Sequence, residues 1–140
     1  MFTGKTILER VDSTTYRLNS KLSFENINYK VTIKNGLITD GASIPRIFWS
    51  IIGCPTSGKY VGSALIHDGL YSSEIIPRKH ADDLFLDMLK HNDVGYVKRY
   101  LMYFAVRLGG YFVWKKHKEK EVHENRKFID VEKFYMELAD

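Results

Sequence analysis

Two segments constrain this chain more than any others: Ser63-Ala-Leu-Ile-His-Asp-Gly-Leu-Tyr-Ser72 and Arg78-Lys-His-Ala-Asp-Asp-Leu-Phe-Leu-Asp-Met-Leu89. Both read as helices, with Pro77 between them blocking any continuation of the first. In the second, Ala81, Leu84, Phe85 and Met88 fall at i, i+3, i+4 and i+7, an apolar stripe that Leu89 widens. The first sets His67, Asp68 and Tyr71 inside an otherwise apolar run. On a helix His67 and Tyr71 share a face, whereas Asp68 points about 100° away. The adjacent His67 and Asp68 therefore do not pair with each other. The imidazole needs an acid from elsewhere to fix its tautomer. Asp82 is placed to supply it if the two helices run antiparallel; Asp83, the next candidate, faces solvent.

Upstream, Thr6–Val11, Thr15–Leu18, Leu22–Phe24 and Tyr29–Ile33 are short runs rich in β-branched and aromatic residues. Asp12-Ser13, Asn19-Ser20 and Glu25-Asn26 divide them. Tyr29, Val31 and Ile33 alternate with Lys30, Thr32 and Lys34, the pattern of a strand with one wet face. Asn35-Gly36 predicts a hairpin turn into Leu37-Ile38. Ser43 and Pro45 suit the start of a short helix through Ile44–Ile52, which the Gly53–Gly58 loop ends. Helices follow at about residues 59–71, with Ser57 as cap, 78–90 and 96–114. The last is apolar nearly all round, which predicts burial, and Gly109-Gly110 either kinks it or admits another backbone closely. Residues 115–127 read as a charged linker or exposed helix, and Phe128–Leu138 as an amphipathic helix docking on the domain or on a partner. The expected fold class is α+β, with N-terminal antiparallel β hairpins packed on a C-terminal core of three to four helices. A single domain spans 1–114 (β region 1–38, helical region 44–114), and 115–140 is appended to it.

Several function classes are set aside by composition and spacing. The single cysteine, Cys54, excludes an intrachain disulfide and a multi-cysteine zinc site. No apolar run reaches the about 18 residues of a membrane span, and Met-Phe-Thr-Gly-Lys lacks the apolar core of a signal peptide. Gly53-x-x-x-x-Gly58-Lys59 puts Tyr60 where a phosphate-binding loop needs Ser or Thr, and no βαβ pattern surrounds it. Gly41-Ala-Ser43-Ile-Pro45 lacks the second glycine of a nucleophile elbow. Metal phosphohydrolases of the His-Asp type need an earlier histidine, and none precedes His67. Nothing points to an organic cofactor or a specific nucleic-acid motif. The net charge of +4 is mild. Its cations gather at Lys98-Arg99, Arg107 and Lys115–Lys120, as on a solvated helix face or one that meets nucleic acid or an anionic membrane surface.

His67-Asp68-x-x-Tyr71 resembles the helix signature of phospholipases A2, and Ala81-Asp82-x-x-Phe85 is similar to the second-helix segment of the disulfide-free domains in parvovirus capsid proteins. That resemblance covers about residues 63–90. It implies that His67 activates water, that Asp68 binds calcium, and that Tyr71 and Asp82 hold His67 by hydrogen bonds. Calcium takes about six to eight oxygens. The family completes the shell from a glycine-rich loop; here the backbone oxygens of Gly53 and Gly58, or of Asp40 and Gly41, are the candidates. A longer pattern adds Thr39-Asp-Gly-Ala-Ser-Ile-Pro-Arg46 to His67-Asp-Gly-Leu-Tyr71 and Ala81-Asp82-x-x-Phe85. It resembles a family of small phage and prophage proteins, domain-of-unknown-function family 1353, over about residues 36–114. This implies a viral source, hence host cytoplasm or virion, and no activity. Two functions are therefore expected to compete. One is a phage-encoded, metal-assisted ester hydrolase acting on phospholipid, with His67 as base and a membrane surface as partner. The other is a non-catalytic virion or host-interaction protein in which the His67, Asp68 and Asp82 cluster cements the fold.

Overall fold

Short runs of β-branched and aromatic residues collect into two antiparallel sheets, and longer apolar stripes into the helices beside them. The computed structural model describes residues 1–13, 15–39 and 60–134. The helix expected at 44–52, the Ser57 cap, Cys54 and the Asp40–Gly41 and Gly53–Gly58 oxygens lie outside these residues. The strands are β1 (Phe2–Thr3), β2 (Leu8–Arg10), β3 (Tyr16–Leu18), β4 (Leu22–Glu25), β5 (Tyr29–Ile33), β6 (Ile38–Thr39) and β7 (Ile129–Lys133). One sheet has the order β1-β4-β5-β7 and the other β2-β3-β6. The helices are α1 (Val61–Ser73), α2 (Arg78–His91), α3 (Tyr96–Lys115) and α4 (Glu119–Arg126). The architecture is α+β, as the sequence predicts.

Central strand β5 shows why the sheet packs where it does. Tyr29, Val31 and Ile33 are buried on the core side, and Thr32 on the other face meets the Ser23 hydroxyl at 2.9 Å. Helix α1 lies on this sheet and touches β4, β5 and β7, as well as β6 of the second sheet. Gly69 permits the approach. A Cβ there would stand 2.5 Å from Ile129 Cδ1 and 3.0 Å from Ile33 Cδ1.

Three expectations are corrected. Asn35-Gly36 does turn the chain, with Gly36 at φ 107°, yet it closes no hairpin. Strand β6 pairs with β3, so the turn carries the chain from one sheet to the other. The far edge of β5 is taken instead by β7, in the register Ile33↔Ile129 to Tyr29↔Lys133. Residues 129–133 are therefore strand, not part of a helix over 128–138. An open β5 edge presents N–H and C=O groups that need partners, and pairing them outweighs the helical spacing of the segment. The third correction concerns α3. Only Met102, Ala105, Val106 and Gly110 are buried along its 20 residues, and Val97 and Leu108 are each 71% exposed. An all-round apolar helix was expected to sink into the core; this one buries a single side.

The Gly69 contact yields a direct expectation. Gly69→Ala should destabilise the fold by about 1–3 kcal/mol through overpacking, read as a lower urea midpoint with an unchanged m-value.

Candidate functional site

The site is built where α1 and α2 face each other. Glu74, at φ 48°, ends α1 in the left-handed region. Pro77 then starts α2, and its carbonyl accepts the Ala81 N–H at 3.1 Å. Contacts run in opposite order along the two helices: Ser63 donates to Asn92 at 2.5 Å, His67 meets Asp82, and Arg78 approaches Tyr71. The pair is antiparallel, the geometry that brings Asp82 to His67.

Asp82 is the centre. Its Oδ1 accepts His67 Nε2–H at 2.7 Å and the Tyr71 hydroxyl at 2.7 Å. Its Oδ2 accepts Arg107 Nη1 at 2.7 Å, from α3, and Arg78 Nη1 at 3.4 Å. His67 and Asp82 are both fully buried. Burial pushes the Asp82 carboxyl up, but the His67, Tyr71 and Arg107 hydrogen bonds outweigh it and hold the group below the usual carboxylate range. Burial, reinforced by the adjacent carboxylate, pushes the Tyr71 hydroxyl well above its ordinary value. Arg78 Nη1 also donates to the Val106 and Arg107 carbonyls, at 3.3 and 3.2 Å, and so ties α2 to α3.

Because a carboxylate only accepts, Nε2 of His67 is assigned the hydrogen, and in the neutral ring Nδ1 then carries the lone pair. That Nδ1 is buried and has no hydrogen-bond partner among the described residues. The ring lies against Tyr71 and Phe85, at centroid distances of 4.3 and 4.6 Å. Tyr71 is itself placed by a glycine. A Cβ on Gly110 would collide with the Tyr71 hydroxyl and come within 3.0 Å of two ring carbons. Of the outcomes expected for Gly109-Gly110, close approach of another backbone is not what Gly110 serves; the group it admits is the Tyr71 side chain.

Asp68 stands apart, as its 100° offset from His67 requires. The Thr39 hydroxyl of β6 donates to its Oδ2. Asp68 and Tyr71 line a cleft of about 480 Å³ shared with Thr39, Ser72, Val113, His117 and Glu121. Among the described residues, no group of three or more His, Cys, Asp or Glu side chains converges to hold a metal. Calcium needs about six to eight oxygens, so Asp68 and the other described side chains do not make its shell. The structure thus brings His67, Tyr71 and Asp82 together and sets Asp68 on the other flank. Two participants were missed from sequence. Arg78 carried a signal, standing four residues before Asp82 on the same helix face. Arg107 carried only the oddity of a lone cation in mid-helix.

The comparisons bear on the same region. A family model described as "Protein of unknown function (DUF1353)" matches residues 16–106. The match holds His67, Tyr71, Arg78 and Asp82 and ends one residue before Arg107. "Uncharacterized protein y4jT" of Sinorhizobium fredii is 35% identical over 96 residues, which is 68% of this chain and 29% of that protein. The chain therefore spans less than a third of the curated relative it matches. No solved structure matches.

The Asp82 network has a pH signature. Its folded pKa lies below the unfolded value of about 3.9, so its stabilisation is complete above that value and is lost as pH falls through the folded one. Asp82→Asn should cost about 3–5 kcal/mol at neutral pH, by leaving buried donors short of a charge. It should also flatten the acid limb of a stability-against-pH curve followed by circular dichroism. Equal neutral-pH stability for this variant and the parent would show that the network does not hold the helices. Gly110→Ala should act on Tyr71 alone, shifting its ring resonances and lowering the melting temperature.

Proposed function

The chain belongs to the DUF1353 family, whose description assigns no activity, and from that premise we propose that it is an ester hydrolase, phage- or prophage-encoded, with phospholipid esters as its substrate class. The observation that carries this is the His67 imidazole: one nitrogen anchored to Asp82, the other buried and without a hydrogen-bond partner among the described residues. A general base needs its tautomer held from behind and an acceptor nitrogen not spent on another protein group. In the proposed step, Nδ1 takes a proton from water as the water oxygen bonds to the ester carbonyl carbon. The imidazolium that forms is balanced by Asp82, which its donors keep ionised. Collapse of the tetrahedral intermediate breaks the bond to the alcohol, which leaves with the proton that Nδ1 returns. Water and ester become acid and alcohol. Tyr71, Arg78 and Arg107 act as positioning residues through Asp82. Asp68 is proposed as a wall of the neighbouring cleft, and no step is routed through calcium.

A second reading has its own support. His67 and Asp82 are wholly buried and Asp82 is matched by four donors, as in a polar staple. On that reading the protein is a non-catalytic virion or host-interaction component.

Hydrolysis of a fluorogenic phospholipid and a short-chain ester separates the two, with parent and His67→Gln each assayed in calcium and in chelator. Glutamine retains an N–H for Asp82 but offers no base. His67→Gln should therefore lower the rate by about 10²–10⁴-fold with little change in melting temperature. A parent protein inert in every arm, or a variant that unfolds without a separable loss of rate, favours the staple.

A further inference from the structure

Helix α3 leaves a ridge that nothing in the His67 site uses. Val97, Leu101, Phe104, Leu108 and Phe112 recur at intervals of three and four, so they stand on one face, and all are exposed. At about 1.5 Å per residue the ridge runs about 22 Å. Exposed apolar surface that is contiguous on this scale marks an interaction site on a soluble domain.

The charge around it identifies the occupant. From Val94 to Lys118 the sequence has six cations (Lys98, Arg99, Arg107, Lys115, Lys116 and Lys118) and no Asp or Glu. Arg107 is engaged by Asp82, and the others bracket the two ends of the ridge. Arg99 lies over the Tyr96 ring at 5.3 Å and Lys115 over Tyr111 at 4.6 Å, so cations and aromatic rings share these ends. The other acidic group on α2 that reaches α3, Asp83, is held by Lys79 and the Tyr103 hydroxyl. A second copy fits badly. An antiparallel pair of α3 helices sets Lys98 and Arg99 against Lys115 and Lys116, and a parallel pair sets like on like. A nucleic acid would find cations but gain nothing from the apolar centre. A convex strip of Phe, Leu and Val with Tyr and Lys or Arg at both ends is the surface of a helix lying in the interface of an anionic bilayer.

We propose that α3 docks the protein flat on an anionic phospholipid membrane. The apolar ridge enters the acyl boundary and the flanking cations meet the headgroups. Among the described residues no helix is long and apolar enough to cross a membrane, so the helix rests on the surface. Val113, which lines the cleft that holds Asp68 and Tyr71, stands on the other side of α3 from the ridge. Docking goes beyond the hydrolase reading, since the ridge stands whether or not His67 moves a proton.

Co-sedimentation of the full chain with vesicles tests it, using equal parts phosphatidylcholine and phosphatidylglycerol against phosphatidylcholine alone. Binding should be roughly tenfold or more tighter on the anionic vesicles and weaken with salt. Phe104→Glu with Leu108→Glu should abolish it at an unchanged melting temperature, because both side chains are exposed in the folded state. His67→Gln should bind as the parent does, so a protein that binds without hydrolysing refutes only the hydrolase. The proposal is overturned if the parent stays in the supernatant with both vesicle types, or if the double variant binds undiminished. A parent that dimerises through the ridge in sedimentation velocity, and ignores vesicles, also overturns it in favour of a second copy.

Discussion

Three helices meet on one carboxylate. Taking Asp82 out of water costs several kcal/mol, and four donors offset it: two from α1, one from α2 itself and one from α3. Apolar stripes alone tolerate sliding, because a leucine contact re-forms one turn further along. The carboxylate does not tolerate it. A slip of α3 by one turn carries Arg107 about 5.4 Å along the axis and leaves Asp82 without its closest cation. The network therefore fixes register where packing fixes only proximity, and α3 can afford to bury so little because a charge holds it.

The segment His67-Asp68-Gly69-Leu70-Tyr71 makes sense as five positions shared among four surroundings. His67 and Tyr71 face Asp82 on α2. Asp68 faces Thr39 in the smaller sheet. Gly69 faces Ile33 and Ile129 in the larger one, where no side chain fits. Leu70 is wholly buried in the core. A single turn and a half of helix thus joins both sheets and the second helix. Each residue type follows from what lies opposite: a hydrogen-bonding ring, a hydroxyl partner, a bare backbone.

This explains which parts were legible in sequence. The α1–α2 pair could be read because its information is local: Pro77 divides the segments, the 3.6-residue stripe orients α2, and the 100° rotation per residue separates Asp68 from His67. Strand β5 could be read from its alternation over five residues. What depended on distant partners could not. Whether Asn35-Gly36 closes a hairpin depends on which strand reaches the β5 edge first, and that strand lies about a hundred residues later in the chain. Whether Ile129–Lys133 is helix or strand depends on the same open edge. Arg107 looks like any solvated cation until a buried acid is known to await it.

The misjudged burial of α3 has the same origin and leads further. Hydropathy says that a helix apolar all round avoids water, and says nothing of what replaces the water. Within the described fold, Met102, Ala105, Val106 and Gly110 meet protein, and Arg107 and the Arg78 bonds to the Val106 and Arg107 carbonyls clamp that side. The opposite side has no such clamp, yet its composition is no less apolar. A sequence under pressure only to stay soluble would place lysine or glutamate at Val97, Leu108 or Phe112, positions where the fold imposes no size or polarity. Apart from Arg107, which turns to Asp82, the cations of this stretch lie at its two ends. An apolar centre between basic ends is costly in water and favourable at a bilayer, and the proposed docking of α3 rests on these residues, whose side chains the described fold leaves exposed.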